Sequence, residues 1–332
     1  MKSCLPLSIT VKKTNFQRIH FHAVVLAVTF AENFSNMIQL NGIFPPLPTS
    51  FDKDEYLALD KMRSNIKELS AFGLRGFLVL GSNGELVHLS ESEKIQVYEM
   101  GREAIASDKL MIAGTGGQST RETIMLTKAA AKAGADAALV LNPFYFKGQM
   151  KPEALKQHYF AVADASTIPV IIYNMPANSG MDMEADTILL LSEHPNIVGM
   201  KDSGGNVAKM GAIRKQAKAD FQLLAGSAGF LVPAMSVGAC GGILASANIA
   251  PAQCIAMHQA FLAGDMALAS RLQIDIIAVN TAVTRKWGVP ALKEAMNYIG
   301  LYGGPARKPI LPLDAATKAE LLIILDDYKI KS

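Results

Sequence analysis

From residue 39 onward, short apolar runs rich in β-formers alternate with amphipathic helical stretches, at a spacing of roughly thirty residues. Eight runs stand out, at 39–44, 76–81, 110–114, 137–142, 169–174, 197–201, 221–226 and 241–245, most of them ending in Gly, Asn or Pro before a polar loop. Eight strands, each followed by a helix, predict a closed (β/α)8 TIM barrel of parallel strands. The helices carry their own start and stop signals. Ser90 with Glu93 has the form of a capping box opening a helix through Ala106, and Ser119 or Thr120 caps a helix over 121–133 that stops at Gly134. The competing architecture, a doubly wound open sheet, needs a phosphate fingerprint that Gly114-Thr115-Gly116-Gly117 does not supply. From about Pro251 the pattern is helical to the end, interrupted by Gly303, Gly304, Pro305 and Pro309. The expected organisation is an extension over 1–36, a barrel over 37–264, and a helical region over 265–332 that serves as an appendix or an oligomer contact.

Composition narrows the partners. Half of the 332 residues are apolar and 18% are charged, so the chain buries a core, and a net charge of +3 spread without stripes gives no footprint for nucleic acid or an anionic membrane. Cys4, Cys240 and Cys254 form neither a disulfide framework nor a CxxC pair, which fits a reducing compartment. The six histidines never form HxH or HExxH, so metal-assisted chemistry has no visible ligand set. Lys2, Lys12, Lys13 and Arg18 precede the first acidic residue, Glu32, as in a mitochondrial presequence. The other reading makes Met37 the true start of a cytoplasmic protein. The apolar stretch 21–30 is too short to span a membrane.

In a barrel of this kind the chemistry sits at the C-terminal ends of the strands. Lys201 closes the sixth run, sharing one face with Ile197 and Gly199, while Val198 and Met200 share the other. A lysine on the interior face is withdrawn from water, which favours the neutral amine that a nucleophile requires. The pattern alone also fits a lysine that reaches the barrel mouth and stays charged. Tyr173 ends the fifth run, where its phenol could relay protons or simply pack. Gly81-Ser82-Asn83-Gly84 offers backbone N–H groups and two small polar side chains to a carboxylate, or forms a plain turn.

Together, GSNGE (81–85), YNMPANSG (173–180) and GMKDSGGN (199–206) resemble the family of dihydrodipicolinate synthase and N-acetylneuraminate lyase, over about residues 40–312. The resemblance implies a class I pyruvate aldolase in which Lys201 forms an imine with a 2-oxo acid and no metal, nucleotide or flavin takes part. Tyr173 would relay protons together with Ser82, while Ser82 and Asn83 would bind the carboxylate. Tyr145 matches an aromatic position lent to a neighbouring subunit's relay, which implies an oligomer, commonly a tetramer of two close dimers. Dihydrodipicolinate synthases usually carry two threonines where Ser82 and Asn83 stand, and an arginine where Asn178 stands. Sialic-acid lyases typically have threonine in place of Asn83. With HPNIVGMKDSGG, LAGSAGF and AVTRKWGVP, the chain looks closest to the 4-hydroxy-2-oxoglutarate aldolase branch. Asn83 and Ser203 are then the candidates for the distal end of the substrate, with Gly226 and Asn178 as further substrate-binding candidates. An aldolase or dehydratase acting on 2-keto-3-deoxy sugar acids, a dihydrodipicolinate synthase-like enzyme of the same family, and a non-catalytic barrel that binds 2-oxo acids are the alternatives.

Overall fold

A computed structural model describes residues 38–330; the extension, Met37 and Cys4 lie outside these. The strands are β1 (Gly42–Phe44), β2 (Gly76–Val79), β3 (Leu110–Gly114), β4 (Ala137–Leu141), β5 (Val170–Asn174), β6 (Ile197–Asp202), β7 (Gln222–Ala225) and β8 (Ala239–Ile243). All neighbours pair in parallel, in the order β1-β8-β7-β6-β5-β4-β3-β2. The seam between β1 and β2 is closed by a Pro46–Leu78 bridge, with Leu47 N–H donating to the Leu78 carbonyl at 2.8 Å and Leu78 N–H to that of Pro45 at 3.0 Å. Pro45 and Pro46 bring no N–H of their own, and Arg75 N–H adds a bond to the Ile43 carbonyl at 3.0 Å.

Helices α1 (Leu59–Leu69), α2 (Glu91–Ala104), α3 (Thr120–Lys132), α4 (Pro152–Ala165), α5 (Ala185–Leu191), α6 (Val207–Gln216), α7 (Leu231–Ser236) and α8 (Pro251–Leu262) follow the strands in turn. Both bonds of the Ser90–Glu93 capping box are made, at 2.8 and 3.3 Å, and Ser119 Oγ accepts from Glu122 N–H at 3.1 Å. The strands differ from the sequence expectation at their ends. β2 stops at Val79 because Leu80 turns to φ +55, and β4 stops before Asn142-Pro143. β8 starts at Ala239 rather than 241, its first residues being too small to stand out as a β-run.

Each strand is buried on both faces, as parallel sheets require. Met111, Val140, Ile172, Met200 and Leu223 join Val97, Tyr98, Leu155 and Ile213 of the helices in one apolar layer. Leu78, Ile112, Leu139, Ile171, Leu224 and Ile243, at alternating positions, are buried outside that layer and fill the barrel interior. One inference from simple alternation is corrected here. Val170 pairs with Ile197 but Ile171 with Gly199, so β6 holds an extra residue, Val198, and Ile197 packs with the helix-facing layer instead of sharing the Lys201 face.

After α8 come α9 (Met266–Asp275), α10 (Ile277–Thr281), a π-helical turn at Ala282–Lys286, α11 (Gly288–Tyr298) and α12 (Ala315–Asp327). Their apolar faces form a second buried cluster in which Val279, Val283, Leu292, Met296 and Leu321 meet Ala245 and Ile249 from the loop after β8. Polar stitches add to it. Gln273 bonds Val232 N–H and the Ala228 carbonyl, and Asn280 bonds Ser227 and Ser246. Among the described residues, no single helix is long and apolar enough to cross a membrane.

His158 on α4 is buried, with Nδ1 2.9 Å from Thr120 Oγ1 and no partner for Nε2. Burial pushes its pKa from 6.5 down to about 4. The unfolded chain therefore binds the proton more readily, so stability is full above pH 6.5 and is lost as pH falls towards 4. The loss is expected to reach about 3 kcal/mol. Urea midpoints measured across this range should flatten in H158Q; an unchanged slope would place the acid sensitivity elsewhere.

Candidate active site

Lys201 and Tyr173 are directly paired residues of neighbouring strands, both near the C-terminal ends. Only 4% of each is exposed, and Lys201 Nζ lies 4.2 Å from the centre of the Tyr173 ring. The Tyr173 hydroxyl is 3.1 Å from Ser82 Oγ, which joins the GSNGE loop to the lysine through the tyrosine. A cavity of about 160 Å3 opens here, lined by Ser82, Tyr173 and Asn178 and walled by Leu80, Leu141 and Phe144. Apolar walls around a few converging polar groups are the lining of a small-molecule site.

The loop that carries Ser82 is held in an uncommon shape. Ser82–Gly84 forms one 3-10 turn between two non-glycine residues in the left-handed region, Leu80 at φ +55 and Glu85 at φ +54. Such residues cost of order 1–3 kcal/mol each and persist where the surroundings over-determine them. Thr49 Oγ1 donates to the Gly84 carbonyl at 2.6 Å from beneath. Asn83 Nδ2 is buried with no hydrogen-bond acceptor among the described residues. An unsatisfied donor beside a serine hydroxyl is a place for an anion.

On the other face of β5 and β6, Asn174 and Asp202 are fully buried and bonded at 3.0 Å. Asp202 Oδ1 also accepts from the Gly204 and Gly205 N–H groups at 2.7 and 3.2 Å, and Lys209 Nζ lies 3.3 Å from Oδ2. Asn174 further donates to Asp182 at 2.7 Å. This network fixes the tips of the two strands that present Tyr173 and Lys201. It was not anticipated from sequence, although Asn174 and Asp202 each directly follow one of those two residues.

Other candidates sit apart from the cavity. Ser203 and Gly226 meet where β6 and β7 end, and a Cβ on Gly226 would come within 2.6 Å of the Asp202 carbonyl oxygen and 2.8 Å of Ser203 Cα, so that close approach of backbone demands glycine. Neither lines the cavity with Ser82 and Tyr173, and Lys201 and Asn83 also lie behind its lining, Lys201 over the Tyr173 ring and Asn83 next to Ser82 in the chain. Tyr145 is 76% exposed and packs edge-on against Phe146 at 5.0 Å, outside the site of its own chain. Burial pushes the Cys240 and Cys254 thiols up to about 12, which disfavours the nucleophilic thiolate.

A parallel (β/α)8 barrel places a lysine, a tyrosine and a serine together at its C-terminal mouth, and relatives with this fold are lyases and aldolases. The model of the dihydrodipicolinate synthetase family matches residues 39–327, and the chain belongs to that family. It is 38% identical over 285 residues to a probable mitochondrial 4-hydroxy-2-oxoglutarate aldolase of Emericella nidulans, covering 84% of this chain and 92% of that one. It is also 34% identical over 290 residues to a 4-hydroxy-tetrahydrodipicolinate synthase of Methanosphaerula palustris, covering 86% and 99%. Among solved structures, dihydrodipicolinate synthase of Bacillus anthracis matches with a TM-score of 0.84 at 31% identity, over 87% of this chain and 99% of that one. A prophage protein of this family from Escherichia coli, solved with pyruvate, matches at 0.83 and 30%, over 88% and 100%.

Proposed function

We propose that the protein cleaves 4-hydroxy-2-oxoglutarate to pyruvate and glyoxylate through an imine on Lys201. The observation that carries the reading is the Ser82–Tyr173–Lys201 arrangement, a proton-relaying phenol between a hydroxyl and the one amine paired with it in register. Lys201 attacks the C2 ketone, and loss of water from the carbinolamine gives a protonated imine that accepts electrons from the breaking bond. Tyr173 takes the C4 hydroxyl proton with Ser82 passing it on, the C3–C4 bond breaks, and glyoxylate leaves an enamine of pyruvate. Protonation at C3 and hydrolysis then release pyruvate and return the amine. Ser82 and Asn83 hold the C1 carboxylate, and the chemistry needs no metal or organic cofactor.

Asn178, at the cavity wall, stands where the resemblance expects the arginine that holds the second substrate of a dihydrodipicolinate synthase, which argues against that activity. The Emericella relative carries the name of the proposed activity. That relative's name also supports mitochondrial targeting by residues 1–36. The exposed Tyr145 and Phe146 support a homotetramer in which Tyr145 completes a neighbour's relay. The second reading, a 4-hydroxy-tetrahydrodipicolinate synthase, is favoured by several relatives of that name. Steady-state kcat/KM should favour 4-hydroxy-2-oxoglutarate over 2-keto-3-deoxygluconate by about 100-fold or more. Formation of 4-hydroxy-tetrahydrodipicolinate should be slower by a similar margin. A preference for either competitor would overturn the assignment.

A further inference from the structure

The GSNGE loop ends on a carboxylate that the reaction does not use. The Glu85 side chain is 1% exposed, and its Oε1 lies 2.6 Å from Nζ of Lys293 on α11, itself 1% exposed. Oε1 is compensated by the Lys293 ammonium, while Oε2 accepts from Arg307 N–H at 2.8 Å. Lys293 also donates to the Pro305 carbonyl at 2.7 Å and stands 4.6 Å over the Phe51 ring. Arg307 lies over the same ring at 4.2 Å, and its guanidinium is held by Glu93 and the His88 carbonyl. Burial pushes the Lys293 amine below its ordinary range, with Glu85 pulling it back up.

An ion pair withdrawn this far from water is weak evidence for stabilisation, because desolvation of both charges opposes their attraction. Its geometric effect is direct. Glu85 is the left-handed residue that terminates the Ser82–Gly84 turn, and its N–H donates to the Ser82 carbonyl at 3.1 Å. Anchoring its carboxylate to α11 and to the segment before α12 fixes where the turn ends, and so where Ser82 and the unsatisfied Asn83 amide stand.

We infer that Glu85 and Lys293 are positioning residues for carboxylate binding, and that through them the C-terminal helical region forms part of the 2-oxo-acid site. The inference rests on the proposed role of Ser82 and Asn83. Its test is the full-length E85Q/K293M double variant, in which both charges are removed with little change of shape. Two readouts are compared with wild type: the pyruvate concentration that half-saturates borohydride trapping at Lys201, and amide exchange of the peptide spanning 80–86.

The double variant is expected to melt near the wild-type temperature and to need at least about tenfold more pyruvate, while trapping at saturation changes by less than about threefold. Exchange in 80–86 should quicken by at least about tenfold, with the β5 and β6 peptides unchanged. Wild-type half-saturation and wild-type exchange together would overturn the inference and leave the pair a packing element. Should the double variant fail to fold, E85D, which keeps the charge but withdraws it by one methylene, is read in its place. A wild-type value there overturns the inference equally. If wild-type protein forms no pyruvate adduct, the proposed function fails, and the exchange readout alone decides whether the pair positions the loop.

Discussion

Lys201→Met is expected to lower kcat/KM for 4-hydroxy-2-oxoglutarate by at least about 10⁴-fold while the protein stays folded. Methionine has nearly the length of the lysine stem and no amine, so it fills the same space over the Tyr173 ring without the group that forms the imine. Because Lys201 is only 4% exposed, exchanging a polar end for an apolar one should leave the melting temperature unchanged or raise it. A folded K201M with more than a few per cent of wild-type activity would mean that the reaction proceeds without covalent attachment. Lys201→Arg should be as inactive, since a guanidinium keeps its charge and cannot condense with a ketone.

Tyr173→Phe is expected to cost about 10²–10³-fold in kcat, with a much smaller change in KM. The ring that lies under Lys201 remains, and what is lost is the hydroxyl 3.1 Å from Ser82 Oγ. Ser82→Ala should cost less, because the phenol is retained. The double variant should be little worse than Y173F alone, since both groups serve one proton path and their effects are not additive. Steady-state rates with the three variants check this. Full additivity would separate Ser82 from the relay and leave it a carboxylate ligand only.

The periodic features were legible in the sequence and the long-range ones were not. Alternating β-runs and helices are local patterns, so the parallel barrel, the Ser90 capping box and the Ser119 cap follow from neighbouring residues. The extra residue at Val198 defeats strict alternation, and it moved Ile197 to the outer layer without disturbing Gly199 and Lys201. The Ser82–Tyr173 contact was anticipated only through resemblance, since the pattern by itself left both residues open to a packing role. The Glu85–Lys293 pair joins the loop after β2 to α11 of the C-terminal helical region, and no local pattern marks either residue as buried. Tyr145 was singled out as chemical, and within one chain it stands in the open beside Phe146.

The central claim is a covalent one, and borohydride reduction of the full-length protein with pyruvate tests it most directly, followed by peptide mass analysis. The account predicts one adduct per chain, with the mass of a reduced pyruvyl group, on the peptide containing Lys201 and none on that peptide in K201M. Wild-type protein that is active yet carries no adduct on that peptide, or carries it on another lysine, would contradict it.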